Sequence, residues 1–167
     1  MPVRPLDSDG DDCPICRQTH RGMVPNAARR ILVAEDDPAI ANLIAYNLEQ
    51  DGYRLSIVSD GAAALASLRD SPPDLLILDL LLPLQSGWQV LRSIRSRRDP
   101  TLAALPVLVV SALACDRLEH ELARCGAQHV LGKPFSVKEL RETVRALLEG
   151  NFTKLPSTAH PHAMVVG

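Results

Sequence analysis

Between residues 30 and 149 the chain alternates two hydrophobic periods. Short apolar runs rich in Val, Ile and Leu (ILVA, YRLSIV, LLILD, PVLVVS, HVLG) are separated by stretches with apolar residues every three to four positions. Those stretches are PAIANLIAYNLEQ, GAAALASLR, GWQVLRSIRS, CDRLEHELARC and SVKELRETVRALLE. The pattern predicts five strands alternating with five helices, an α/β architecture. LLIL and VLVV are apolar at every position, as strands are when helices cover both faces of a parallel sheet. Pro38 opens the first helix and Gly52 follows its end, while Ser136 and Glu139 make a capping box for the last. Leu65, Leu68, Leu91 and Ile94 recur at helical spacing and are assigned to the core.

Outside this region the periodicity stops. Residues 1–29 mix Pro, Gly, Asp and Arg and are expected to form a disordered extension; residues 150–167 are expected to form a flexible tail. With 167 residues and 46% apolar content, one domain at 30–149 is the expectation. A net charge of -2 argues against a general polyanion binder, and no apolar run is long and uncharged enough for membrane insertion. The start lacks the apolar stretch of a secretory signal, so a cytoplasmic setting with reduced cysteines is expected.

In open parallel sheets, ligands bind beyond the carboxyl ends of the strands. The residues there are Glu35, Asp36 and Asp37 after the first strand, Asp79 ending the third, Ser111 ending the fourth and Lys133 after the fifth. Two like charges about 4 Å apart repel by roughly 4 kcal/mol at an effective dielectric of about 20, so these acids are either splayed into water or compensated by something positive. Asp37 falls where the helix begins, where an acid is favoured by the helix dipole in any case. A dinucleotide site is disfavoured, because EDDP replaces the Gly-rich turn that would present amides to a pyrophosphate. A phosphatase with its nucleophile after the first strand is also disfavoured, because adjacent Asp36 and Asp37 point apart.

ILVAEDDP, PDLLILDLLLPLQSG, PVLVVSA and GAQHVLGKPF occur in this order, and together they resemble the receiver domains of two-component response regulators. The resemblance covers residues 30–149. It implies a flavodoxin-like fold, a doubly wound five-stranded parallel sheet of order 2-1-3-4-5. It implies Asp79 as the acceptor of a phosphoryl group from a sensor histidine kinase or histidine phosphotransfer protein. Mg²⁺ or Mn²⁺ would be held by oxygens of Asp36 and Asp79 and the backbone carbonyl of Leu81, with Glu35 holding a metal-bound water. Lys133 and Ser111 would bind the phosphate, Ser111 turning inward as a switch, and the Lys133–Pro134 bond would be cis.

Three positions depart from the family pattern. Val130 replaces the usual aromatic switch residue, and Leu81 and Leu113 are apolar where many receivers are polar, which implies slow loss of the phosphate. Cys13 and Cys16, with His20 nearby, have the first half of a zinc-site spacing and no second CxxC, although His160 and His162 could complete a tetrahedron. Cys115 and Cys125 are expected to pack as small apolar groups. The arginines of residues 92–98 are read as a solvated helix end that complements the dipole, not as a nucleic-acid contact. The resulting expectation is a single-domain regulator, not a conventional enzyme, that signals to a downstream protein by contact. A phosphorylation-independent adaptor is the alternative.

Overall fold

The computed structural model describes residues 29–96, 99–113 and 115–150. The five expected strands are β1 (Arg30–Ala34), β2 (Arg54–Val58), β3 (Leu75–Asp79), β4 (Val107–Ser111) and β5 (His129–Gly132). They pair in parallel in the order β2-β1-β3-β4-β5, the flavodoxin-like order.

Successive strand side chains point to opposite faces, so each central strand feeds two cores. Leu32, Ala34, Leu76, Leu78, Val107 and Val109 pack on one face with Leu65 and Leu68 of α2 (Gly61–Asp70) and Leu91 and Ile94 of α3 (Gly87–Ser96). Leu122 of α5 (Asp116–Arg124) joins them. Ile31, Val33, Leu75, Ile77, Leu108 and Val110 pack on the other face, against α1 (Pro38–Gln50) and α6 (Val137–Glu149). Every residue of β3 and β4 is buried, which explains their uninterrupted apolar runs.

The caps follow the local chemistry. The Asp37 carboxylate accepts hydrogen bonds from Ala39 and Ile40 amides at 2.8 and 3.4 Å, and the Ser136 hydroxyl accepts one from Glu139 at 3.1 Å. Each cap fixes where a helix leaves the sheet, and Asp37 thereby sets the path of the chain past Glu35 and Asp36.

Three expectations need correction. A sixth helix, α4 (Pro100–Ala104), lies between α3 and β4; Asp99 caps it and Pro100 starts it, a signal too short to carry a hydrophobic period. Arg95 is not part of a solvated face. Its guanidinium donates to the carbonyls of Leu102 and Ala103 at 3.0 Å, Leu105 at 2.8 Å and Gly126 at 2.7 Å, so one planar fork satisfies the carboxyl ends of α4 and α5. Arg92 is exposed as expected, and residues 97 and 98 lie outside the described residues. Cys115 does not pack: it is exposed, because it holds the extended position just before α5, whereas Cys125 is half-buried against the core.

Candidate functional site

The strand ends bring together the residues singled out in the sequence. Glu35 follows β1 directly, Asp79 closes β3, Ser111 closes β4 and Lys133 follows β5. Glu35 and Asp79 are 3% and 5% exposed, while Asp36 beside them is open to solvent. One oxygen from each of Glu35, Asp36 and Asp79 lies within 4.8 Å of the others. Three hard oxygen donors converging this closely fit a hard divalent cation such as Mg²⁺.

Lys133 spans the two buried acids. Its ammonium donates to both oxygens of Glu35, at 2.9 and 2.7 Å, and to Oδ2 of Asp79 at 2.5 Å. Burial pushes the Glu35 carboxyl above its usual range; the Lys133 hydrogen bond opposes this, and the Asp79 charge adds to it. For Lys133, burial favours the neutral amine, but the bonds to Asp79 and Glu35 outweigh it and raise the pKa. The lysine is therefore held as a cation. The other Asp79 oxygen, Oδ1, accepts the amide of Leu81 at 2.9 Å, so both carboxylate oxygens are fixed.

Ser111 is fully buried; its hydroxyl accepts the amide of Leu113 at 3.1 Å and its carbonyl accepts the amide of Lys133 at 2.9 Å. The Lys133–Pro134 bond is cis. Val130 is half-buried and packs against the α2–α3–α5 side of the core. Leu81 and Leu113 point much of their surface at water, 59% and 58% exposed. Cys13, Cys16 and His20 lie outside the described residues.

Two features of the β3–α3 loop escaped the sequence reading. A Cβ at Gly87 would stand 2.1 Å from the carbonyl oxygen of Asp79, so only glycine lets α3 start directly against the end of β3. Glycine after a Ser at a helix start was the available signal. Leu84 has φ of +62° and is 82% exposed, at the centre of a tight turn in which the Gln85 amide donates to the Pro83 carbonyl at 2.7 Å. No propensity of leucine signals that conformation.

The response regulator receiver domain family matches residues 31–145. The DNA-binding dual master transcriptional regulator RpaA of Synechocystis is 42% identical over 119 residues, 71% of this chain and 48% of that protein. The chain spans about half the length of the curated relatives of this kind. Among solved structures, the receiver domain of a Francisella response regulator aligns with a TM-score of 0.68 at 29% identity, covering 74% of this chain and 99% of that one. The receiver domain of a sensor histidine kinase from Pseudomonas aeruginosa, solved with magnesium in its active-site cleft, aligns at 0.66 and 27% identity, covering 72% and 98%. Receiver domains are signalling phosphoacceptors that bind Mg²⁺ at an acidic pocket and interact with histidine kinases and downstream effectors. With the sheet order, the four strand-end groups and these matches in agreement, the chain belongs to the response regulator receiver family of two-component signalling.

Proposed function

We propose that Asp79 accepts a phosphoryl group from a phosphohistidine on a sensor kinase or a histidine phosphotransfer protein. The observation that carries this reading is the convergence of Glu35, Asp79 and Lys133, from three separate strand ends, into one buried charged cluster. A structural ion pair needs one acid per base. Here a single ammonium faces two buried acids with a third beside them, a surplus of negative charge that folding alone does not favour.

In the transfer, an Asp79 oxygen bonds to phosphorus as the phosphorus–nitrogen bond of the donor breaks. Glu35, Asp36, Asp79 and the Leu81 carbonyl are the groups that would hold Mg²⁺ or Mn²⁺, which when bound neutralises charge on the phosphoryl oxygens. Leu81 N–H and Lys133 orient the Asp79 carboxylate for attack. Lys133 then has a phosphoryl oxygen as an alternative partner to the carboxylates. Ser111 exchanges its bond from the Leu113 amide for one that it donates to the phosphate, and that exchange moves the β4–α5 loop.

Residues 30–149 act as the receiver unit, in the cytoplasm. The face of α5, β5 and α6 carries the signal to a downstream protein, with no direct nucleic-acid contact by this unit. Val130 stands where an aromatic switch residue is usual, so the coupling runs through the Ser111 loop and through Lys133 at the end of β5 and not through rotation of a ring at position 130.

The test is labelling with acetyl phosphate and Mg²⁺, followed by intact mass. Wild type should gain one phosphoryl group and Asp79→Asn none, because the amide keeps the shape but loses the nucleophile. Equal labelling of both proteins would refute the assignment.

A further inference from the structure

Resting on the phosphoacceptor reading, we propose that Arg95 is a positioning residue for the response to phosphorylation. It pins the carboxyl end of α5, so that movement of the β4–α5 loop tilts this helix about that end instead of displacing it whole.

The pin starts from a firm base, because Arg95 sits in the last turn of α3, whose Val90, Leu91 and Ile94 are fully buried. From there its Nε and Nη2 donate to the Gly126 carbonyl at 3.1 and 2.7 Å, just past the last turn of α5. The same planar group holds the carbonyls of Leu102, Ala103 and Leu105, so it cannot follow α5 without giving up bonds to the end of α4. Position 126 fits this contact only as glycine: its φ is +91°, and a Cβ there would stand 2.6 Å from Nε of Arg95. Gln128 continues the anchorage. Its amide donates to the Val107 carbonyl at 3.0 Å and its side-chain oxygen accepts the Val107 amide at 2.7 Å, which ties the segment to the buried start of β4.

The amino end of α5 is held differently. Cys115, at the N-cap, is exposed and makes no side-chain cap hydrogen bond, which leaves the first amides of the helix without that support. Arg117 and His120 are exposed and Leu118 and Glu119 half-buried; among the described side chains of α5, full burial comes only at Leu122. This end adjoins the loop in which the Leu113 amide bonds the Ser111 hydroxyl. A displacement that starts at Ser111 therefore enters α5 at its loosely held end and is stopped at Arg95. A groove of about 350 Å³ between α5 and β5 has Glu119 and His120 on the tilting part and Arg124, Gln128 and His129 at the pinned end. Tilting thus changes the outline of that groove on the face that carries the signal.

The experiment is amide hydrogen exchange read by mass spectrometry on the full chain as wild type, Arg95→Met and Arg95→Lys, each with and without excess acetyl phosphate at one Mg²⁺ concentration. Rates with the donor are divided by rates without it in the same protein, so a general loss of stability cancels. In wild type the ratio should change about tenfold across residues 112–118 and stay within about twofold of unity across 122–128. Arg95→Met should carry the change through 122–128 at about tenfold, and Arg95→Lys, a cation without the fork, at about threefold or more. A uniform ratio along wild-type α5 overturns the pivot. So does a ratio at 122–128 that keeps its wild-type value in both variants, the outcome for an arginine that only stabilises the fold. Absence of a phosphoryl group on wild type by intact mass overturns the phosphoacceptor reading on which the pivot rests.

Discussion

Replacing Lys133 with methionine removes the cation that spans Glu35 and Asp79 while keeping the apolar stem. The ammonium is 2.7 Å from one acid and 2.5 Å from the other, and the side chains are 15%, 2% and 6% exposed. Without it, two buried carboxylates and the neighbouring Asp36 face one another uncompensated. Removing one partner of a buried pair costs about 3–5 kcal/mol, and the partial exposure of Lys133 places this case near 3. For a domain of this size that lowers the melting temperature by about 10 °C. The raised Lys133 pKa means its contribution is complete below the unfolded value and is lost only as pH rises through the folded one, so neutral buffer reveals all of it. The assay is urea unfolding in EDTA, with Glu35→Gln as the second arm of a double-mutant cycle. The second change should cost less in the Lys133→Met background, with a coupling of about 1–3 kcal/mol. Saturating Mg²⁺ should restore more stability to Lys133→Met than to wild type, because lysine and metal compete for the same oxygens. A loss under about 1 kcal/mol, or simple additivity in the cycle, would refute the reasoning.

Leu84→Gly should raise stability by about 1 kcal/mol in thermal melts, since the left-handed conformation at φ +62° is strained for leucine and its exposed side chain gives little in return; a loss would contradict the strain. Burial holds the His129 pKa below its ordinary value, against the opposing pull of Glu119 and Glu139. The unfolded chain therefore takes up that proton first, and stability should fall as pH drops below about 6.5. His129→Gln should flatten this part of a urea-midpoint profile between pH 7.5 and 5.5, and identical profiles would remove His129 as the cause. Leu81→Asn with Leu113→Glu should shorten the phosphorylated lifetime about tenfold or more, because the two leucines have no polar group with which to orient the hydrolytic water. Decay of label after donor removal at constant Mg²⁺ measures it, and equal decay would reject the slow timer.

What the sequence revealed depended on whether the cause was local. β3 and β4 were legible because every residue in them is buried, and their ends pointed to Asp79 and Ser111 as candidate site residues. Asp37 was separable from Asp36 because a capping position is a local property. The Arg95 fork was not legible, since its acceptors lie up to 33 residues away and its position at a helix end has an ordinary solvated explanation. The grip of Lys133 on Glu35 joins residues 98 apart, a contact that the lysine turn alone does not specify. Leu84 was invisible for a different reason: its backbone is held by the Pro83–Gln85 turn and the Gly61 amide on the Pro83 carbonyl, against its own preference.

The central claim is that Asp79 itself carries the phosphoryl group, as an acyl phosphate. Borohydride reduces an acyl phosphate to an alcohol but leaves a free carboxylate untouched. Wild-type protein treated with phosphoryl imidazole and Mg²⁺, then with borohydride, should yield a peptide with homoserine at position 79 by tandem mass spectrometry. The account predicts that conversion at Asp79, with Glu35, Asp36 and Asp37 unreduced; homoserine at any of those three with Asp79 intact would contradict it.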